Sequence, residues 1–197
     1  DDSNLNTRHQ NHVFGPKNEI QMLAISPRAK YIAAVESASK ENNAVADTGK
    51  IFIWTIDRAE QYQLIHDLGR LQTIQSSTND EYLIAVGSYT SATVMVWDMS
   101  TGDIAASYRY PTSSSPVDVL CPIVDHEHEQ DVKFLSIGRR SVQEWELSFN
   151  MEGERALLCN SIFDLPGIDT NDVASEYFTG ISIDEDVDVH DEWTIVI

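Results

Sequence analysis

The sequence predicts an all-β chain made of consecutive four-stranded units. Three observations carry this. Trp54, Trp97 and Trp145 recur at steps of 43 and 48 residues. Each closes a short run of alternating bulky residues, IFIW, TVMVW and SVQEW. The stretch from Ser26 to Val35 (SPRAKYIAAV) lines up residue for residue with Ser77 to Val86 (STNDEYLIAV). A repeat of ~40–45 residues with one four-stranded unit per repeat is the pattern of a β-propeller, in which sheets stand as blades around an axis. Trp193 falls at the same step but opens a second-strand pattern, so only three tryptophans mark equivalent strands.

The first unit starts after Pro16. Residues 19–26 (EIQMLAIS) form an apolar strand, and Ser26-Pro27-Arg28-Ala29-Lys30 turns the chain, with Pro27 fixing its own φ. Residues 31–36 (YIAAVE) make the second strand, and residues 37–45 an enlarged polar loop. Asp47-Thr48-Gly49 forms a turn into the third strand, which ends at Trp54, and residues 62–66 make the fourth.

The second unit repeats this plan with strands over 71–76, 81–88, 93–99 and 104–110, and turns at Ser77–Asp80 and Ser100–Asp103. The third uses 117–124, 132–138, 141–147 and 155–160, after the connector 112–116 (TSSSP). A fourth begins with 177–183 (YFTGISI) and continues at 193–197 (WTIVI) after an acidic loop. The expected organisation is a polar segment over 1–18 and a partial propeller over 19–197, with blades at about 19–67, 71–110, 117–160 and a truncated 177–197. About three and a half blades do not close a ring, so the expectation is a piece of a larger ring or one completed by a partner. The absence of a starting Met points the same way, to a processed chain or a fragment.

Composition narrows the function classes. The net charge is −19, which repels phosphate backbones and anionic lipid, so neither nucleic acid nor membrane is expected as a ligand. The plain reading of that charge is solubility, and the sharper one is a basic protein partner. No apolar run approaches the ~18 residues of a membrane helix, and residues 1–17 lack the apolar core of a signal peptide. Cys121 and Cys159 are too few for a secreted disulfide scaffold, and are expected as reduced, half-buried strand residues of an intracellular protein.

Chemistry-bearing patterns are sparse. Asp125-His126-Glu127-His128-Glu129 has ligand-type side chains but not the spacing of a zinc hydrolase, and reads as a solvated loop between strands. Asp184-x-Asp186-x-Asp188 starts like a calcium loop, but Val189 and Ile195 stand where Gly and Glu are required. No phosphate loop, dinucleotide fingerprint or nucleophile elbow is present. The aromatic set Trp97, Tyr108 and Tyr110 reads as strand packing. No catalytic, cofactor-binding or metal residue is singled out, and neither a cofactor nor a small-molecule substrate is expected. The polar loops 37–45, 112–116, 125–131 and 185–192 are the candidate contact regions.

The segments around the three tryptophans resemble WD-repeat proteins. Val94-Met95-Val96-Trp97-Asp98 before Thr101-Gly102 is the nearest match to the end of such a repeat, and Asp47-x-Gly49 before Ile51-Phe52-Ile53-Trp54 matches its turn and third strand. The resemblance covers most of 19–197 and implies a propeller fold and a scaffold role. Thr55 and Glu146 stand where the repeat usually has Asp, and the opening Gly-His pair is missing, with Gly69-Arg70 near its place. The repeat's hydrogen-bonded network of His, Ser or Thr, Asp and Trp is therefore expected to be incomplete, leaving Ser88 and Asp47 as scattered parts and apolar packing between blades as the main support.

The SPRAKYIAAVE stretch and Gly138–Leu147 are also similar to divergent WD-repeats of ciliary and microtubule-associated proteins. That resemblance implies a non-catalytic part of a multi-subunit assembly such as the axoneme, in the cytoplasm, cytoskeleton or cilium. The alternatives from the same fold are a substrate receptor of a ubiquitin-ligase type complex and a propeller enzyme. Against the enzyme, the innermost strands EIQMLAIS, LQTIQSS and VDVLCPIV carry few polar groups.

Overall fold

In the computed structural model, the described residues are 15–36, 49–56, 60–87, 93–109, 117–123, 132–138, 141–149, 151 and 153–164. They form twelve strands: β1 (Ile20–Ile25), β2 (Tyr31–Glu36), β3 (Gly49–Thr55), β4 (Gln61–His66), β5 (Leu71–Ser76), β6 (Tyr82–Gly87), β7 (Thr93–Asp98), β8 (Ile104–Arg109), β9 (Val117–Ile123), β10 (Val132–Gly138), β11 (Ser141–Phe149) and β12 (Arg155–Asp164). These strands make three antiparallel sheets of four, each a simple meander in chain order. The fold is a partial β-propeller. The predicted fourth blade, Trp193, the loops at 37–45, 112–116, 125–131 and 185–192, and both candidate ligand clusters lie outside the described residues, as does most of the segment 1–18.

Alternation decides which side chains meet. In a strand, successive residues face opposite sides. Tyr31, Ala33, Val35, Ile51 and Ile53 of the first sheet thus meet Ile74, Leu83, Ala85, Met95 and Trp97 of the second in one buried cluster. The other face of the second sheet (Tyr82, Ile84, Val86, Val94, Val96) packs on Leu120, Phe134, Trp145 and Leu157 of the third. Both faces of β6 are covered, so all six of its residues are buried. The first strands β1, β5 and β9 contact one another in order, which places them innermost. Pro122 sits in β9, the edge strand of its sheet, where proline is tolerated because only one side of the strand is paired.

The sequence repeat between Ser26–Val35 and Ser77–Val86 is a repeat of backbone geometry. Ser26 O accepts from Ala29 N at 2.8 Å, and Ser77 O from Asp80 N at 3.2 Å. Ala29 and Asp80 take matching left-handed φ values of 55° and 62°. Each serine hydroxyl accepts from the tyrosine amide that opens the next strand, at 3.1 Å for Tyr31 and 3.0 Å for Tyr82. All three first strands also carry a bulge near their start, after Ile20, Leu71 and Val117.

Glu146 lies inside the third strand of its sheet, as expected, and pairs with Leu158 in the ladder. One expectation needs correction. β11 and β12 extend beyond the predicted ends at 147 and 160, because Phe149 pairs with Arg155 at one end and Ser141 with Asp164 at the other. Separately from these strand ends, His66 at the end of β4 meets Trp97 edge-on, with ring centroids 6.4 Å apart.

Candidate interaction surface

A cleft of about 500 Å3 opens on the rim that carries the β1–β2, β3–β4, β5–β6 and β7–β8 turns. Tyr31, Tyr62 and Tyr82 line it, with Asp80, Asp98 and Arg155. Its walls come from neighbouring sheets, and the polar contacts there hold sheet to sheet. Tyr31 Oη lies 2.7 Å from Ser76 Oγ and donates to the Tyr82 carbonyl at 3.1 Å. Arg28 N donates to Asp80 Oδ1 at 3.1 Å, joining the two equivalent turns. Tyr62 Oη donates to Met99 O at 3.3 Å. Gly102, with φ of 80°, lets the β7–β8 turn approach Leu64 and Tyr62 of the first sheet.

The long β11–β12 hairpin supplies the third wall. It places the Arg155 guanidinium over the ring of Tyr82, 4.7 Å from its centroid, and over Phe149 at 4.8 Å. Such cation–π contacts contribute about 0.5–2 kcal/mol depending on burial. Phe149 and Met151 are exposed beside it.

The electrostatics of the cleft favour fixed, unreactive groups. Burial pushes the Tyr31 phenol far up, against the bond to Ser76, and Asp80 adds to the rise. Burial also raises Tyr62, with Asp98 and Glu60 acting the same way. Tyr82 is raised by burial despite the opposing charge of Arg155. Phenols held this high stay protonated near neutral pH and act as hydrogen-bond donors. Partial burial opposes the charge of Asp98, but bonds from Ser100 Oγ (2.5 Å), Ser100 N (2.8 Å) and Thr101 N outweigh it, and Arg155 adds to them. The net result holds Asp98 below the usual carboxylate value, as an ionised cap of its turn. Asp80 is buried, and its Oδ2 meets no donor among the described residues.

Other chemistry-bearing side chains lie apart. Cys121 and Cys159 are half-buried strand residues, and burial pushes both thiols up, with Glu144 adding at Cys159. Among the described residues no cluster of His, Cys, Asp and Glu forms a metal site, and no helix is long and apolar enough to cross a membrane. Tyr108 packs on Trp145 (5.1 Å, edge-on) rather than on Trp97, which joins the second sheet to the third.

One part of the indole network went unseen in the sequence. Trp145 Nε1 donates to Ser136 Oγ at 2.8 Å, and Ser136 Oγ donates to Gln143 Oε1 at 3.4 Å. The signal was positional: Ser136 lies two residues along β10 from Phe134, the cross-strand partner of Trp145, so both point to one face. Arg155 carried no such signal, because the hairpin length that aims it is a tertiary result.

Consecutive four-stranded meanders with an indole on each third strand define the class of fold: a partial β-propeller of the kind WD-repeat proteins have. Its relatives make the description more particular. The chain is homologous to human cilia- and flagella-associated protein 52, 26% identical over 149 residues, which are 73% of this chain and 22% of that protein. The macaque (Macaca fascicularis) protein of the same name is equally similar and 24% covered. Mouse WD repeat-containing protein 90 is 29% identical over 106 residues, 53% of this chain and 5% of that protein. The chain therefore spans less than a quarter of the length of these relatives. No protein-family model matches it.

Solved structures agree on the fold. The WD40 domain of SCAP from fission yeast superposes with a TM-score of 0.58 at 14% identity, covering 77% of this chain and 35% of that one. Kluyveromyces lactis Hsv2 gives 0.54 at 12% identity, covering 76% and 48%.

Proposed function

We propose that this chain is a non-catalytic protein-interaction scaffold in a ciliary or flagellar assembly. The observation that carries the reading is its relation to cilia- and flagella-associated protein 52 across 73% of its length. The cleft supports the same reading: Tyr31, Tyr62 and Asp80 join neighbouring blades and Asp98 fixes its own turn, which keeps the rim rigid for contact with a protein. The partner is a protein with a basic surface, matched to a net charge of −19. A standard contact of ~800 Å2 per partner would draw on the turns of several blades.

Proximity labelling in ciliated cells tests this. Labelled axonemal proteins are the expected result. Labelled ubiquitin-ligase subunits without axonemal neighbours would replace the scaffold with a substrate receptor.

A further inference from the structure

The charges of the rim cleft do not balance. Three carboxylates line it, Asp80, Glu81 and Asp98, against two cations, Lys30 and Arg155. Most of these groups already have partners. Asp98 is tied to its own turn by Ser100, and Glu81 Oε2 accepts from Asn79 Nδ2 at 3.1 Å. The Arg155 guanidinium is held over the rings of Tyr82 and Phe149. Asp80 differs. It is 3% exposed, Oδ1 accepts from Arg28 N, and Oδ2 has no donor among the described residues. A buried carboxylate oxygen left in this state is costly, and a donor that reaches it removes the cost. The turn itself does not require a carboxylate there, since Ala29 takes the matching φ in the first sheet. Beside the cleft, Phe149 touches the Arg155 guanidinium yet is 57% exposed, and Met151 on the same hairpin is fully exposed.

We propose that this cleft is the pocket for one lysine or arginine side chain of a partner protein. Its cationic head donates to Asp80 Oδ2 and lies near Glu81, and an apolar neighbour of that residue rests on Phe149 and Met151. The inference rests on the reading of the chain as a scaffold for a basic protein, and says where on the rim such a partner is held. Charge selects the guest: one positive charge brings three carboxylates and two cations into balance, and a neutral or acidic side chain does not. Size agrees, because about 500 Å3 lies within the ~300–1,000 Å3 of ordinary binding pockets. A charge-assisted bond to a buried oxygen is strong and directional. The charge spread over the outer surface is screened within ~8 Å at physiological salt. The surface therefore draws a basic partner in, and the cleft chooses the residue that docks. Oδ2 is shielded from water, so contact with it requires the turn Ser77–Glu81 to give slightly, and binding should register in the amides of that turn.

Amide NMR of the full chain tests this, with capped Leu-Lys-Leu, Leu-Arg-Leu and Leu-Gln-Leu peptides as probes. Shifts at Asp80, Glu81 and Asp98 should saturate with the lysine or arginine peptide at a Kd about tenfold below that of the glutamine peptide. Asp80→Asn keeps an acceptor for Arg28 N, puts an amide donor in place of Oδ2, and suits the positive φ of the turn. It should weaken the cationic peptides by about tenfold and leave the glutamine peptide unchanged. Glu81→Gln, at an exposed position, should weaken them by a smaller factor, so the result does not hang on the folding of one variant. Equal binding of all three peptides, or cationic binding that both variants leave intact, overturns the proposal. Calcium chloride producing the same saturable shifts would make the cleft a site for small cations and overturn it too. Peptide selectivity decides the cleft, and proximity labelling of the unaltered chain decides the scaffold, so either can fail without the other.

Discussion

At the scale of single residues, one serine separates the three tryptophans. Trp145 has Ser136 as its acceptor. The equivalent positions in the other sheets are Ala34 and Ala85, and Trp54 Nε1 is buried with no acceptor among the described residues. An orphaned buried donor costs about 1–3 kcal/mol. Ser136→Ala should therefore lower stability by that amount in urea unfolding. Ala34→Ser, which transplants the acceptor to the first sheet, should raise it by about 1 kcal/mol. The tryptophans were legible in the sequence through their spacing. The serine was not, because nothing in one chain says which of many serines shares a face with an indole.

Among elements, the β3–β4 pair depends on a close approach. Gly49 pairs with His66, and a Cβ at 49 would overlap Cε1 and Nε2 of the imidazole. Gly49→Ala should cost about 1–3 kcal/mol by overpacking, and less when combined with His66→Ala. His66 is 4% exposed, Nδ1 accepts from Leu68 N at 3.3 Å, and Nε2 has no partner among the described residues. Burial holds its pKa below the ordinary 6.5, against the opposing pull of Asp67. As pH falls past 6.5 the unfolded chain takes up the proton first, so stability declines from there down to the folded value and then levels. The melting temperature should fall between pH 7.5 and 5.5, and fall less in His66→Gln. Strand positions were readable from alternation and turn residues to within a few residues. The length of the β11–β12 hairpin was not, since pairing that extends a ladder at both ends leaves no local stop signal in either strand.

Over the whole molecule, stability rests on two sheet-to-sheet cores. Trp145 is fully buried between the second and third sheets, so Trp145→Ala should cost about 3–5 kcal/mol. Trp54 lies on the outer face of the first sheet, so Trp54→Ala should cost distinctly less in this chain, a difference that parallel urea titrations would read directly. The sequence by itself determined the strand quartets, the turns and the identity of the third-strand tryptophans, because period-2 alternation and turn chemistry are local properties. Only the tertiary structure decided which indole is covered and where Arg155 points. Those outcomes depend on one sheet meeting another, and packing between sheets joins residues far apart in the chain.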